Sequence, residues 1–203
     1  MALARFAVFL VLLVSCGAVL PGQVIEFESG GLRYQTLTKN GVTIMFAHLP
    51  SQIREYAVLQ VAVSNGSRRT RQIRPEDFTY VLENGAVFRA RPARDIVQEM
   101  LEKASRSDVV RLISTYEMGI YGLKRINSTN GYEQRRQQFL AETANARLKA
   151  AAAASAISLV LTKLTPGEST DGAVFFATDG KPLGAGKLVV RAEGDVFEFR
   201  TGS

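Results

Sequence analysis

Ile157–Thr178 reads ISLVLTKLTPGESTDGAVFFAT, two apolar runs joined across Pro166-Gly167. Leu159 and Leu161 fall on one alternating face, and Leu164 is grouped with them after a break of one residue. Pro-Gly is a turn signal, and Ala173-Val174-Phe175-Phe176 supplies a second strand, so the stretch predicts a hairpin. It marks the return of the chain to β-structure after a long helical detour. The N-terminal side reads as half of a β-sandwich plus an inserted helical segment, and the C-terminal side completes the sheets.

Towards the N-terminus, from Val24 to Arg91, apolar residues recur with a period of two. Leu32–Lys39 and Val42–Leu49 flank Asn40-Gly41, which suits a type I′ turn because both central positions need positive φ. Tyr56–Ser64, YAVLQVAVS, is apolar enough on one or both faces to be a central strand. Next comes a polar connection, Arg68–Asp77. Phe78–Glu83 and Val87–Arg91 then flank Asn84-Gly85, a second hairpin expected to turn in the same way. About five or six strands are thus expected before Pro92, at sandwich-like spacing.

At Pro92 the period changes. Ile96, Val97, Met100, Leu101 and Ala104 form one helical face over 95–104. Ser107 is the expected N-cap of a second helix carrying Val109, Val110, Leu112, Ile113 and Tyr116. A third helix is expected from Tyr132 to about Ala154, where alanine favours the helix intrinsically. Its large apolar anchors are few (Tyr132, Phe139, Leu140 and Leu148), so it is expected to pack by one side. The insertion spans about 93–156 and holds two or three helices.

Beyond Thr178 a Gly-rich turn leads to Lys187–Ala192 and Val196–Arg200, paired around Glu193-Gly194-Asp195. The fold class is therefore mainly β with an α insertion. Four segments carry a resemblance: the strand ending VAVSN, the turn and strand IRPEDFTYVLENG, the stretch LTPGESTDGAVFF, and the closing LVVRAEGDVFEF. Together they resemble the poorly characterised immunoglobulin-like domains of bacterial lipoproteins and other exported proteins. The resemblance implies an immunoglobulin-like β-sandwich, an extracytoplasmic location, and a binding or structural role. The helical insert departs from the short connections usual in such domains.

Residues 1–23, MALARFAVFLVLLVSCGAVLPGQ, have the layout of an export signal: Arg5, an apolar run from Phe6 to Val14, then small residues. That run is short against the roughly 20 residues a membrane span needs. Leu13-Val14-Ser15-Cys16 resembles a lipobox, which implies cleavage before Cys16 and acylation of its sulfur and new amino group. Several acyl chains would then hold residues 24–203, read as a single domain, at a membrane surface. The alternatives are cleavage after Ala18 with release, and an uncleaved anchor.

The composition narrows the chemistry. One cysteine rules out an internal disulfide, and a single histidine, His48, leaves no second partner for a zinc site or an independent base. No Gly-x-Ser-x-Gly elbow accompanies any serine. Gly180–Lys187 lacks the glycine spacing and the Ser/Thr of a phosphate loop. The net charge of +6 reads first as a solvated basic surface, and the Arg68/Arg69/Arg71/Arg74 cluster lacks the aromatics of a nucleic-acid interface. No catalytic residue, cofactor or metal is expected. The leading function is a non-enzymatic cell-envelope lipoprotein that contacts a partner protein. Arg125, Arg135, Arg136 and Arg147 are candidates for the rim of that contact. The alternative is a carbohydrate-active envelope enzyme with its site between insert and sandwich, for which two carboxylates suffice.

Overall fold

The computed structural model describes residues 22–122, 128–141 and 145–202, so Cys16, most of the signal-like segment and Arg125 lie outside the described residues. Among the described residues strands outweigh helices, so the class is mainly β with a large helical part. Two antiparallel sheets hold most of the strands. The first has the order β1-β2-β3-β4-β9, with β1 Ile25–Ser29, β2 Leu32–Lys39, β3 Val42–His48, β4 Tyr56–Asn65 and β9 Ser169–Ala177. The second is β11-β10-β6-β7, with β6 Phe78–Leu82, β7 Val87–Arg89, β10 Gly186–Ala192 and β11 Asp195–Thr201.

The sheets share one core. Ile44, Phe46, Leu59, Val61, Val174 and Phe176 from the first pack with Phe78, Leu188, Val190, Phe197 and Phe199 from the second. The other face of the first sheet is also covered. There Tyr34, Val58, Ala62 and Phe175 join Ile96, Met100, Leu112, Tyr116, Phe139 and the alanines of the insert in a second core. Strand β4 lies between the two cores, and its side chains alternate between them. This explains its near-continuous apolar run. Two-residue periodicity sends Val58 to the helix-side core and Val61 to the core between the sheets.

Among its described residues the insert holds four helices, not two or three: α1 Ala93–Lys103, α2 Arg106–Gly122, α3 Tyr132–Ala141 and α4 Ala146–Ile157. The expected third helix is two, because the Asn145 side chain accepts hydrogen bonds from the Arg147 and Leu148 amides and so starts a new helix. The alanine-rich α4 is central to the layer and touches each of the other three helices. Ala150, Ala151, Ala153, Ala154 and Ala156 are buried, whereas Leu140 and Leu148, expected as anchors, are exposed. Small side chains let neighbouring helices approach closely, so here alanine does the packing that leucine was expected to do. The cap of α2 is Ser105 and not Ser107: its hydroxyl and amide donate to Asp108 Oδ2 at 2.9 and 2.8 Å.

Three further expectations are corrected. Pro166-Gly167 does not join a hairpin; β8 Thr162–Leu164 pairs with β5 Arg71–Ile73, inside what read as a polar connection. β9 pairs instead with β4, with Ser64 opposite Ser169. Leu159 and Leu164 are buried, but Leu161 is 61% exposed. Finally, the turns at Asn40-Gly41 and Asn84-Gly85 differ. Asn40 and Gly41 both have positive φ, as a type I′ turn requires, but at the second turn only Gly85 does, and its amide donates to the Leu82 carbonyl. Among the described residues no helix is long and apolar enough to cross a membrane.

Candidate functional site

The boundary between insert and sheet is built around one carboxylate. Asp171 lies on β9, which carries it to the helix-facing side, and it is 8% exposed. Its Oδ2 accepts from the Tyr116 hydroxyl on α2 at 2.6 Å and from Gln60 Nε2 on β4 at 3.1 Å. Its Oδ1 accepts from Asn130 Nδ2 at 2.7 Å, and its amide donates to Ser128 Oγ at 3.1 Å. Asn130 Oδ1 in turn accepts from the Tyr132 amide at 2.8 Å, which fixes the start of α3. Sheet, helices and the loop before α3 are thereby tied to one ionisable group. Bonds to a charged acceptor are about twice as strong as neutral ones.

Gly119 lets α2 lie down on this site. A Cβ there would come within 2.9 Å of Gln60 Cγ, and its carbonyl accepts from the Tyr34 hydroxyl at 2.7 Å. Burial drives Tyr116 well above its ordinary value, and the neighbouring Asp171 charge adds to the shift, so the phenol stays a donor. Next to the cluster is a cavity of about 270 Å³ lined by Ser128, Asn130, Tyr132, Glu133 and Asp171.

A second polar cluster clamps the corner between α1 and α2. Arg54, held at positive φ, donates from Nη1 to the Lys103 carbonyl at 3.0 Å. It also pairs with Glu99 at 3.3 Å and Asp108 at 3.4 Å. The Tyr56 hydroxyl donates to Glu99. Burial pushes Asp108 up, but the Ser105 amide and hydroxyl and the Arg54 guanidinium outweigh it and hold the carboxyl below its ordinary value.

Of the arginines expected at a partner contact, Arg135 and Arg136 are half-buried and engaged within the insert. Arg135 Nη2 donates to the carbonyls of Asn130 and, at 3.1 Å, Ala156, placing a cation at the C-terminal end of α4 where the helix dipole favours it. Arg136 Nε donates to Glu117 Oε1 at 2.5 Å, and the Tyr132 hydroxyl donates to the same oxygen at 3.0 Å. Arg147 is exposed. His48 sits at the end of β3, edge-on to Phe46 and Tyr80 at centroid distances of 5.8 Å.

Sequence reasoning did not single out Asp171, Tyr116, Asn130 or Gln60 as a group. The one available signal is Gln60, an amide in the middle of the apolar strand YAVLQVAVS. Among the described residues, no group of three or more His, Cys, Asp or Glu is placed to hold a metal ion. Comparison with protein-family models, with curated proteins and with solved structures finds no match to this chain.

Proposed function

We propose that the chain is an exported, lipid-anchored envelope protein whose immunoglobulin-like sandwich, thickened by a helical layer, is a non-catalytic binding or scaffolding module. The observation that carries the reading is how the insert spends its groups. Its apolar faces are buried on the first sheet, and Asp171, the carboxylate at the boundary, has both oxygens taken up by neutral donors that hold the layers together. A general acid or base needs a free oxygen within reach of substrate. The immunoglobulin-like assignment is supported by two antiparallel sheets with a common core, between which the chain passes from β4 to β6, from β7 to β9 and from β9 to β10. Cys16, the chain's one cysteine, supplies the site of acylation, and the membrane is the first partner. Arg147, on the outer surface, remains available to an envelope protein.

The alternative, a carbohydrate-active hydrolase, has one observation in its favour: Asp171 and Glu133 line the same cavity between helices and sheet. Two experiments decide. Metabolic labelling with a fatty-acid analogue in a bacterial host should mark the chain and be abolished by Cys16→Ser; label that survives the substitution removes the anchor. Turnover of envelope glycans that is lost in both Asp171→Asn and Glu133→Gln would establish the hydrolase instead.

A further inference from the structure

A second cavity, far from the insert boundary in sequence, opens at the end of the sandwich. It measures about 300 Å³ and is lined among others by Glu26, Leu32, Arg33, Gln35, Phe46 and His48. Strand register builds it. Glu26 lies opposite Gln35, and Gln35 opposite Phe46, so carboxylate, amide and ring stand in a row across β1, β2 and β3.

Among the described residues, two buried polar atoms in this wall have no partner: Gln35 Oε1 and His48 Nε2. The glutamine cannot be relieved by turning its amide over. Its Nε2 already donates to Glu26 Oε1 at 2.5 Å and to the Arg200 carbonyl at 2.8 Å, and reversal would set oxygen against both acceptors. Gln35 is 7% exposed, and it stands among the residues that line the cavity. An acceptor left without a donor favours a ligand that brings one. Burial also pushes His48 below its ordinary value, so the imidazole is neutral and keeps a bare nitrogen.

The lining is dipolar. Glu26 supplies a negative charge beside Gln35, while Arg33, also in the lining, forms no ion pair among the described residues. Phe46, opposite Gln35 on β3, gives apolar wall between them. We propose that this cavity binds a small zwitterion carrying an ammonium and a carboxylate, in the manner of an amino acid. The ammonium donates to Gln35 Oε1, the Glu26 carboxylate and the bare His48 nitrogen, and the carboxylate meets Arg33. A neutral polyol would leave both charges unanswered, and a simple amine or acid would answer one. This deepens the binding half of the proposed function, and labelling at Cys16 reads the anchoring half separately.

Because His48 is the chain's one histidine, its imidazole gives a single, self-assigning set of NMR signals. The full chain in mild detergent is titrated with glycine, β-alanine and 4-aminobutyrate, and with propylammonium, acetate and glucose for comparison. At least one zwitterion should shift the His48 signals saturably, with Kd of about 1 mM or tighter. Glu26→Gln and Arg33→Gln, both at exposed positions, should each weaken that binding about tenfold or more while the amide spectrum stays folded. The proposal is overturned if no zwitterion shifts His48, if glucose, acetate or propylammonium does so as strongly, or if both variants bind as the parent does.

Discussion

Leu159 and Leu161 stand two residues apart on what reads as one face of a strand, yet the first is buried against Gly172 and the second points to water. Leu159→Ala should therefore cost about 2–5 kcal/mol through lost burial plus a cavity. Leu161→Ala should stay within about 0.5 kcal/mol. Urea unfolding of the pair measures the contrast, and equal midpoints would mean the chain runs differently here. His48 gives the residue scale a pH signature. Its folded value is depressed below the ordinary 6.5, so between those two values the unfolded chain binds more protons. Stability should accordingly fall as pH drops below 6.5, level off beneath the folded value, and lose this slope in His48→Gln. A parent chain whose unfolding midpoint does not move across that window contradicts a buried neutral imidazole.

Among the elements, β9 depends on a glycine. A Cβ at Gly172 would lie 2.6 Å from the backbone nitrogen of Leu159, where the chain leaving α4 runs beside β9 and Leu159 N donates to the Ala173 carbonyl at 2.9 Å. Gly172→Ala must push backbone apart, and a loss of about 1–3 kcal/mol is expected in thermal or urea unfolding. Replacing 93–156 by a short Gly/Ser linker should do worse, because it strips the cover from Tyr34, Val58 and Phe175. The shortened chain is expected to aggregate or to lose its cooperative transition; a stable, soluble product would show that the layer is dispensable. Much of this element pattern was legible in the sequence, where turn chemistry and period act locally: Asn40-Gly41, the buried run of β4, the closing β10–β11 pair, and the change of period at Pro92. What failed was non-local. Pro166-Gly167 is a strong local hairpin signal, but β8 is claimed by β5 and β9 by β4. The site was less legible still, since Gln60, Tyr116, Asn130 and Asp171 come from four separate segments, and only tertiary packing brings them together.

At the scale of the whole molecule, the helical layer and the second sheet pack on opposite faces of the first sheet. β4 is buried on both sides, whereas β1 forms one edge of its sheet and is largely exposed. Amide exchange should track that gradient, slowest in β4 and faster in β1, since a locally opening edge exposes little apolar surface. Uniform protection across the two strands would contradict the layering. The pairing of β4 with β9 has a further consequence for the order of assembly. Ser64 and Ser169 bond to each other across 105 residues of chain, and the entire insert lies between them. Closing so long a loop costs entropy before any ladder bond rewards it, so this step sets a slow pace. The N-terminal hairpins and the helices are made of near neighbours and can form early. β4 then waits, one side bare, until the helical layer delivers β9 to its edge. On that order the insert would act as a chaperone carried in the chain's own sequence, and weakening it should delay refolding even where the finished fold survives.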